Sequence, residues 1–192
     1  MYGIKNNKEV NMGKLVIYTG PMKCGKTTKL IEQYNKMLEK STKVHMFKPS
    51  IDTRYSSVRV VARNVNQQIL CTLLNDIDML WYFKDMYKYF FIDEFQFLQG
   101  DITVIKKLLD IGKNIWVSGL NLTAENKPFG LMGDLMCYAD KVYYLKGNCD
   151  NCNKSNSGKY TYYDGDKSED ILVGDINYQC VCPKCYNILT KQ

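Results

Sequence analysis

The residues best equipped for chemistry stand in GPMKCGKTT, Gly20 to Thr28. The pattern G-x-x-x-x-G-K-T describes a loop that wraps a phosphate, because Gly20 and Gly25 let backbone N–H groups turn inward with no Cβ in the way. The helix expected to follow adds its positive N-terminal end. Lys26 would reach the β- and γ-phosphates, and the Thr27 hydroxyl would ligate Mg²⁺. Gly20, Pro21, Met22, Lys23, Cys24, Gly25, Lys26, Thr27 and Thr28 are therefore the expected ATP and Mg²⁺ loop. Asp93 and Glu94 close the run KYFFIDE (88–94). A buried strand of this kind delivers its C-terminal carboxylates to the crevice above a sheet, where Asp93 suits Mg²⁺ and Glu94 suits the base that takes a proton from an attacking group.

A third constellation is Cys149-x-x-Cys152 with Cys182-x-x-Cys185. Each pair offers two thiolates to one tetrahedral Zn²⁺, and four cysteines fill the shell, so the expected role is structural. Cys180 stands two residues before Cys182, and strand alternation would put both on one face; the C-x-x-C spacing favours Cys182, with a swap left open. Cys24, Cys71 and Cys137 read as packing residues, and His45, the only histidine, as a satisfied core or edge residue.

These groups need a scaffold. KLVIYT (14–19), KVHMF (43–47), KYFFIDE (88–94), NIWVSG (114–119) and ADKVYYLKG (139–147) read as strands, with VRVVA (58–62) and QILCTL (68–73) as shorter ones. Thr27 to Lys40, DIDMLWYF (76–83) and Ile102 to Ile111 read as helices, the last stopped by Gly112. Strands alternating with helices predict an α/β fold: a P-loop NTPase-like, RecA-like parallel sheet with helices on both faces. From Asn148 the texture changes to Cys pairs, Gly, Asn and Tyr. The expected organisation is a loose extension over 1–12, an ATP-binding domain over 13–147, and a small zinc-ribbon domain over 148–192.

The chain has 192 residues and a net charge of +6, but its cations are scattered lysines, and arginine occurs only at 54, 59 and 63. That distribution argues against nucleic acid as the main partner. No apolar run is long enough to span a membrane, and the N-terminus has no secretory h-region, so a cytoplasmic location is expected. The arginine shortage also bears on the acceptor. Enzymes that phosphorylate a nucleotide commonly hold two phosphorylated molecules with several arginines. A nucleoside, with a bare 5′-hydroxyl, fits this chain better. Two alternatives stay open at this level: a Zn-ribbon module with an ATP-driven switch on nucleic acid, and a degenerate kinase kept as an assembly partner.

Six segments taken together, GPMKCGKTT (20–28), DTRYSS (52–57), FIDEFQF (91–97), GLNLTAENKPFG (119–130), ADKVYYLKGNCDNC (139–152) and VGDINYQCVCPKC (173–185), resemble the type II thymidine kinases. The resemblance implies transfer of the ATP γ-phosphate to the 5′-hydroxyl of thymidine, with deoxyuridine a further candidate. It implies Lys26, Thr27 and Asp93 at the phosphates and Mg²⁺, Glu94 as base, and Arg54 near the reacting phosphate. Met22, Phe97, Leu120 and Tyr178 match positions that wall the thymine pocket, Ala124 stands near it, and Thr161 matches the residue that approaches the base's 5-methyl. The segment from about Ser155 to Asn177 resembles a lasso that closes over the nucleoside, with Gly174 in the part that reads the base edge. The resemblance also implies a homotetramer and inhibition by thymidine triphosphate. Phe95, Asn121 and Ala124 depart from the family pattern, and Ala124 leaves room that weakens a strict thymidine preference.

Overall fold

A computed structural model describes residues 11–52, 58–62, 67–165 and 177–191. Its centre is a six-stranded sheet of β1 (Leu15–Thr19), β2 (Val44–Pro49), β5 (Thr72–Leu74), β6 (Tyr89–Ile92), β7 (Asn114–Gly119) and β8 (Lys141–Tyr144). The strand order is β5-β2-β6-β7-β1-β8, and every pairing is parallel. Parallel sheets need both faces covered, and the side chains divide accordingly. Leu15, Ile17, Phe47, Phe90, Ile92, Ile115 and Val117 join one core, with Ile105 and Leu108 of α2 (Thr103–Asp110). Met46, Phe91 and Trp116 join another on the opposite face, with Leu30 and Ile31 of α1 (Lys26–Leu38). Phe91 and Trp116 stack there at 4.9 Å.

The antiparallel ribbon of β3 (Arg59–Ala62) and β4 (Gln67–Leu70) lays Val60 and Ala62 into the second core. Farther along, β9 (Tyr160–Tyr163) pairs antiparallel with β10 (Tyr178–Val181), followed by α4 (Pro183–Leu189). Their own small cluster consists of Cys149, Val181, Cys182 and Cys185, with Tyr160, Tyr162, Tyr186 and Leu189 against it.

The α/β expectation therefore holds, with local corrections. DIDMLWYF forms a 3₁₀ segment over Asp78–Phe83 rather than an α-helix. QILCTL breaks at Cys71, because β4 belongs to the ribbon while β5 joins the main sheet beside β2. KYFFIDE stops pairing at Ile92, which leaves both acids beyond the strand. Two short helices were not legible in advance, α3 (Met132–Cys137) and α4. Cys137 is exposed and is not a packing residue. Gly112 ends α2 as expected, at φ +80°. His45 is satisfied, hydrogen-bonded to the Thr72 hydroxyl at 2.8 Å and stacked on Tyr87 at 4.4 Å.

Candidate active site

The phosphate loop leaves the end of β1, where the Thr19 hydroxyl donates to the Gly119 carbonyl at 2.9 Å. Gly20 takes φ +143°, and a Cβ there would lie 2.3 Å from the Leu145 carbonyl oxygen, so only glycine passes. Lys23 (φ +59°) and Gly25 (φ +86°) are left-handed, and these reversals curl the loop ahead of α1. The Lys26 side chain is buried and donates to the Pro21 carbonyl at 2.6 Å, across the mouth of the loop. The Thr27 hydroxyl donates to the Asp93 carboxylate, 3.2 Å from each oxygen. Two motifs whose residues Thr27 and Asp93 are 66 positions apart thus meet.

Asp93 is buried, and its hydrogen bonds come from two neutral hydroxyls, Thr27 and Ser118. Burial pushes its carboxyl up to about 7, the charges of Glu94 and Asp52 push the same way, and the two hydroxyls oppose them. A buried carboxylate of this kind between hydroxyl donors fits a divalent cation, which would supply the missing positive charge. The next residue turns sharply. Glu94 adopts the left-handed conformation (φ +52°), a strained state for a side-chain-bearing residue that is concentrated at functional sites. Its carboxylate accepts from the Gln96 amide at 2.5 Å. The Gln96 oxygen in turn accepts from the Leu120 backbone N–H at 3.0 Å. Gln96 is only 1% exposed, so this amide ties the turn after β6 to the loop after β7.

The C-terminal part docks directly on the phosphate loop. The Met22 N–H donates to the Thr161 hydroxyl at 3.0 Å, and Lys23 donates to the Tyr178 carbonyl at 2.8 Å. Lys23 also lies 3.7 Å from Asp150, whose carboxylate accepts from the Cys180 N–H at 2.8 Å. The Tyr186 hydroxyl donates to the Ala124 carbonyl at 2.8 Å, a second tie to the loop after β7. Phe97 packs edge-to-face on Phe129 at 5.5 Å, and Tyr178 packs on Tyr163 at 4.8 Å. Leu120 and Met22 are buried.

Cys149, Cys152, Cys182 and Cys185 bring their four sulfurs within 4.8 Å of one another. Four thiolates about 2.3 Å from one Zn²⁺ would lie roughly 3.8 Å apart, and the Cys152 and Cys182 sulfurs stand at 3.9 Å. Cys182 donates its N–H to the Cys149 sulfur at 3.3 Å, a bond that supports a thiolate. The donor set and spacing fit Zn²⁺. Cys180 lies outside this cluster; it faces Gly147 and Gly158, and burial pushes its thiol up to about 11. The clustered sulfurs are thus those of the two C-x-x-C pairs, Cys182 among them and Cys180 not.

Beside the phosphate loop lies a groove of about 500 Å³, lined by Gly25, Thr28, Lys29, Glu32, Tyr144 and Lys146 among others. Arg54 and Gly174, both named from the sequence, lie outside the described residues. Sequence reasoning did not single out Ser118, Gln96, Asp150 or Tyr186. Gln96 alone carried a signal, a polar side chain between Phe95 and Phe97 directly after the acids.

A parallel sheet with a glycine-bounded loop at the end of its first helix-connected strand, a hydroxyl–carboxylate pair above it and a further carboxylate alongside defines a P-loop protein of the phosphoryl-transfer class. The family model described as thymidine kinase matches residues 13–186. A thymidine kinase of Mycoplasma mobile is 33% identical over 178 residues, covering 91% of this chain and 87% of its own length. One from Pseudothermotoga lettingae is 32% identical over 177 residues, covering 91% and 95%. One from Thermococcus kodakarensis is 33% identical over 172 residues, covering 84% and 87%. The chain belongs to the thymidine kinase family.

Proposed function

We propose that this protein is a thymidine kinase that moves the γ-phosphate of ATP to the 5′-hydroxyl of thymidine, with deoxyuridine as a second acceptor. The observation that carries the reading is the hydrogen bond from Thr27 of the phosphate loop to Asp93, with Lys26 and Glu94 next to them in the chain and the cysteine-anchored part hydrogen-bonded to the same loop. Lys26 and the loop N–H groups hold the triphosphate. Thr27 and Asp93 would hold Mg²⁺, which when bound neutralises the phosphate oxygens. Glu94, fixed by Gln96, takes the proton from the 5′-hydroxyl as its oxygen bonds to the γ-phosphorus and the bond to ADP breaks. Arg54 is assigned to the transferring phosphoryl group on family resemblance. Met22, Phe97, Leu120, Ala124, Thr161 and Tyr178, with Gly174, are assigned to the thymine pocket.

The zinc residues 149, 152, 182 and 185 anchor both ends of the segment that covers the nucleoside. The cost of ordering a long closing segment falls when its ends are already held. Residues 13–147 are taken as the ATP-binding domain, 148–192 as the zinc-bearing lasso domain and 1–12 as an extension. The same reading includes a homotetramer, inhibition by thymidine triphosphate, a cytoplasmic location, and neither nucleic acid nor membrane as partner. Among the described residues no helix is long and apolar enough to cross a membrane.

The test is incubation with ATP, Mg²⁺ and thymidine, deoxyuridine or deoxycytidine. Thymidine monophosphate is the expected product; no monophosphate from any of the three would overturn the reading.

A further inference from the structure

Lys48 is only 2% exposed, which is unusual for a lysine. Its ammonium lies 3.7 Å from the carboxylate of Asp52, which is 6% exposed. Asp52 is reached through a tight turn in which its N–H donates to the Pro49 carbonyl at 3.1 Å. The pair stands at the C-terminal end of β2, beside β6. Phe47 is the register partner of Ile92, and the Asp93 N–H donates to the Phe47 carbonyl at 3.0 Å, so Lys48 and Asp93 follow in step on neighbouring strands. Met46 and Phe91, one partner pair earlier on that face, share the core under α1. Alternation then brings Lys48 and Asp93 to the same face, the one that carries α1 and the phosphate loop.

A buried ion pair is a poor device for stability, since apolar residues of similar volume often serve as well or better. The position of this pair supplies a different reason for it. It stands at the carboxyl end of a parallel strand, where such sheets bind their ligands, next to two further carboxylates, Asp93 and Glu94. We propose that Lys48 is a positioning residue for the Mg²⁺–triphosphate crevice, holding Asp52 by a buried ion pair so that the carboxylates around Thr27 keep one arrangement. In this proposal Lys48 acts through Asp52, its ion-pair partner. The inference rests on the phosphoryl-transfer reading of the crevice.

The experiment uses the full-length zinc-loaded protein and three variants: Lys48→Met, Asp52→Asn, and the Lys48→Met/Asp52→Asn double. Lys48→Met leaves Asp52 buried without this cation and should lower Tm. It should also lower kcat and raise the half-saturating Mg²⁺ concentration by roughly 10–100-fold, as loss of an outer partner of a metal site does, with the KM for thymidine little changed. The double variant removes both charges and should recover Tm while the Mg²⁺ dependence stays shifted. A double variant with recovered Tm and wild-type Mg²⁺ dependence would show the pair to be structural and overturn the proposal. If Lys48→Met does not fold, Asp52→Asn decides: a shifted Mg²⁺ dependence supports the proposal, and an unshifted one overturns it. The same Mg²⁺ dependence can be read from ATP binding without any nucleoside. Failure of the kinase assay in the wild-type protein would therefore sink the acceptor assignment separately.

Discussion

Gln96→Leu is the perturbation that most directly probes how the base is held. Leucine nearly matches glutamine in volume, so the change removes two hydrogen bonds without opening a large cavity. One is the acceptor of the Leu120 N–H, in a place where Gln96 is 1% exposed. Leaving that N–H unpaired costs about 1–3 kcal/mol. For a chain of this size each kcal/mol lowers Tm by roughly 2–4 °C, so a drop on the order of 2–12 °C is expected. The other bond is the 2.5 Å contact to Glu94. Without it the Glu94 carboxylate loses one of the contacts that orient it after its strained turn, and kcat should fall about tenfold or more, up to the ~10²–10⁴-fold of a whole general-base contribution. The KM for ATP should stay near wild type, because Lys26 and Thr27 are untouched. Gln96→Glu separates the two effects. It keeps an acceptor for Leu120, so it should unfold at a higher temperature than the leucine variant. It also sets two carboxylates against each other and should be at least as slow. Thermal melts and steady-state thymidine phosphorylation measure both quantities. A leucine variant that melts early yet turns over at the wild-type rate would refute the link between Gln96 and the base.

Three further outcomes are expected. Glu94→Gln should lower kcat by about 10²–10⁴-fold, with ATP binding retained in a nucleotide titration; near-normal turnover would remove Glu94 from the role of base. Elemental analysis should find about one Zn²⁺ per chain, and stripping it with a chelator should raise the KM for thymidine more than that for ATP, because the cysteines support the part that carries Thr161 and Tyr178. His45, the single histidine, supplies a pH signature. Burial lowers its pKa below the ordinary 6.5, so its contribution to stability is whole above that value and is lost as pH falls through the lower folded value. Urea melts from pH 8 down to pH 5 should show that loss, and a His45→Gln protein should show less of it.

Much of the architecture was legible because its signals are local. The strand runs 14–19 and 114–119 and the helix after Gly25 are set by apolar periodicity and by a glycine-bounded loop, properties of neighbouring residues. The candidate site residues Lys26, Thr27, Asp93 and Glu94 could be named for the same reason, since each lies in a short motif, and the structure joins Thr27 to Asp93. The clustering of Cys149, Cys152, Cys182 and Cys185 was legible from their spacing, yet the place of Cys180 outside it was not. It depends on how β10 meets Gly147 and Gly158, three segments distant in the chain. DIDMLWYF shows the same limit from another side: its apolar residues suit a helix, and the structure makes it a 3₁₀ segment over Asp78–Phe83 with Leu80 in the core.

The sequence by itself determined the class of chemistry: a phosphate loop, two acids after a buried strand, and four thiols for one ion. Only the tertiary structure decided which side chains hold that chemistry in place. The register of β2, β6 and β7 brings Lys48, Asp93 and Ser118 to one end of the sheet, and a buried amide 24 residues from Leu120 fastens Glu94. Lys48, Asp93 and Ser118 share no motif, nor do Gln96 and Leu120, because contact between strands and loops depends on distance in space, and one sequence carries no record of that distance.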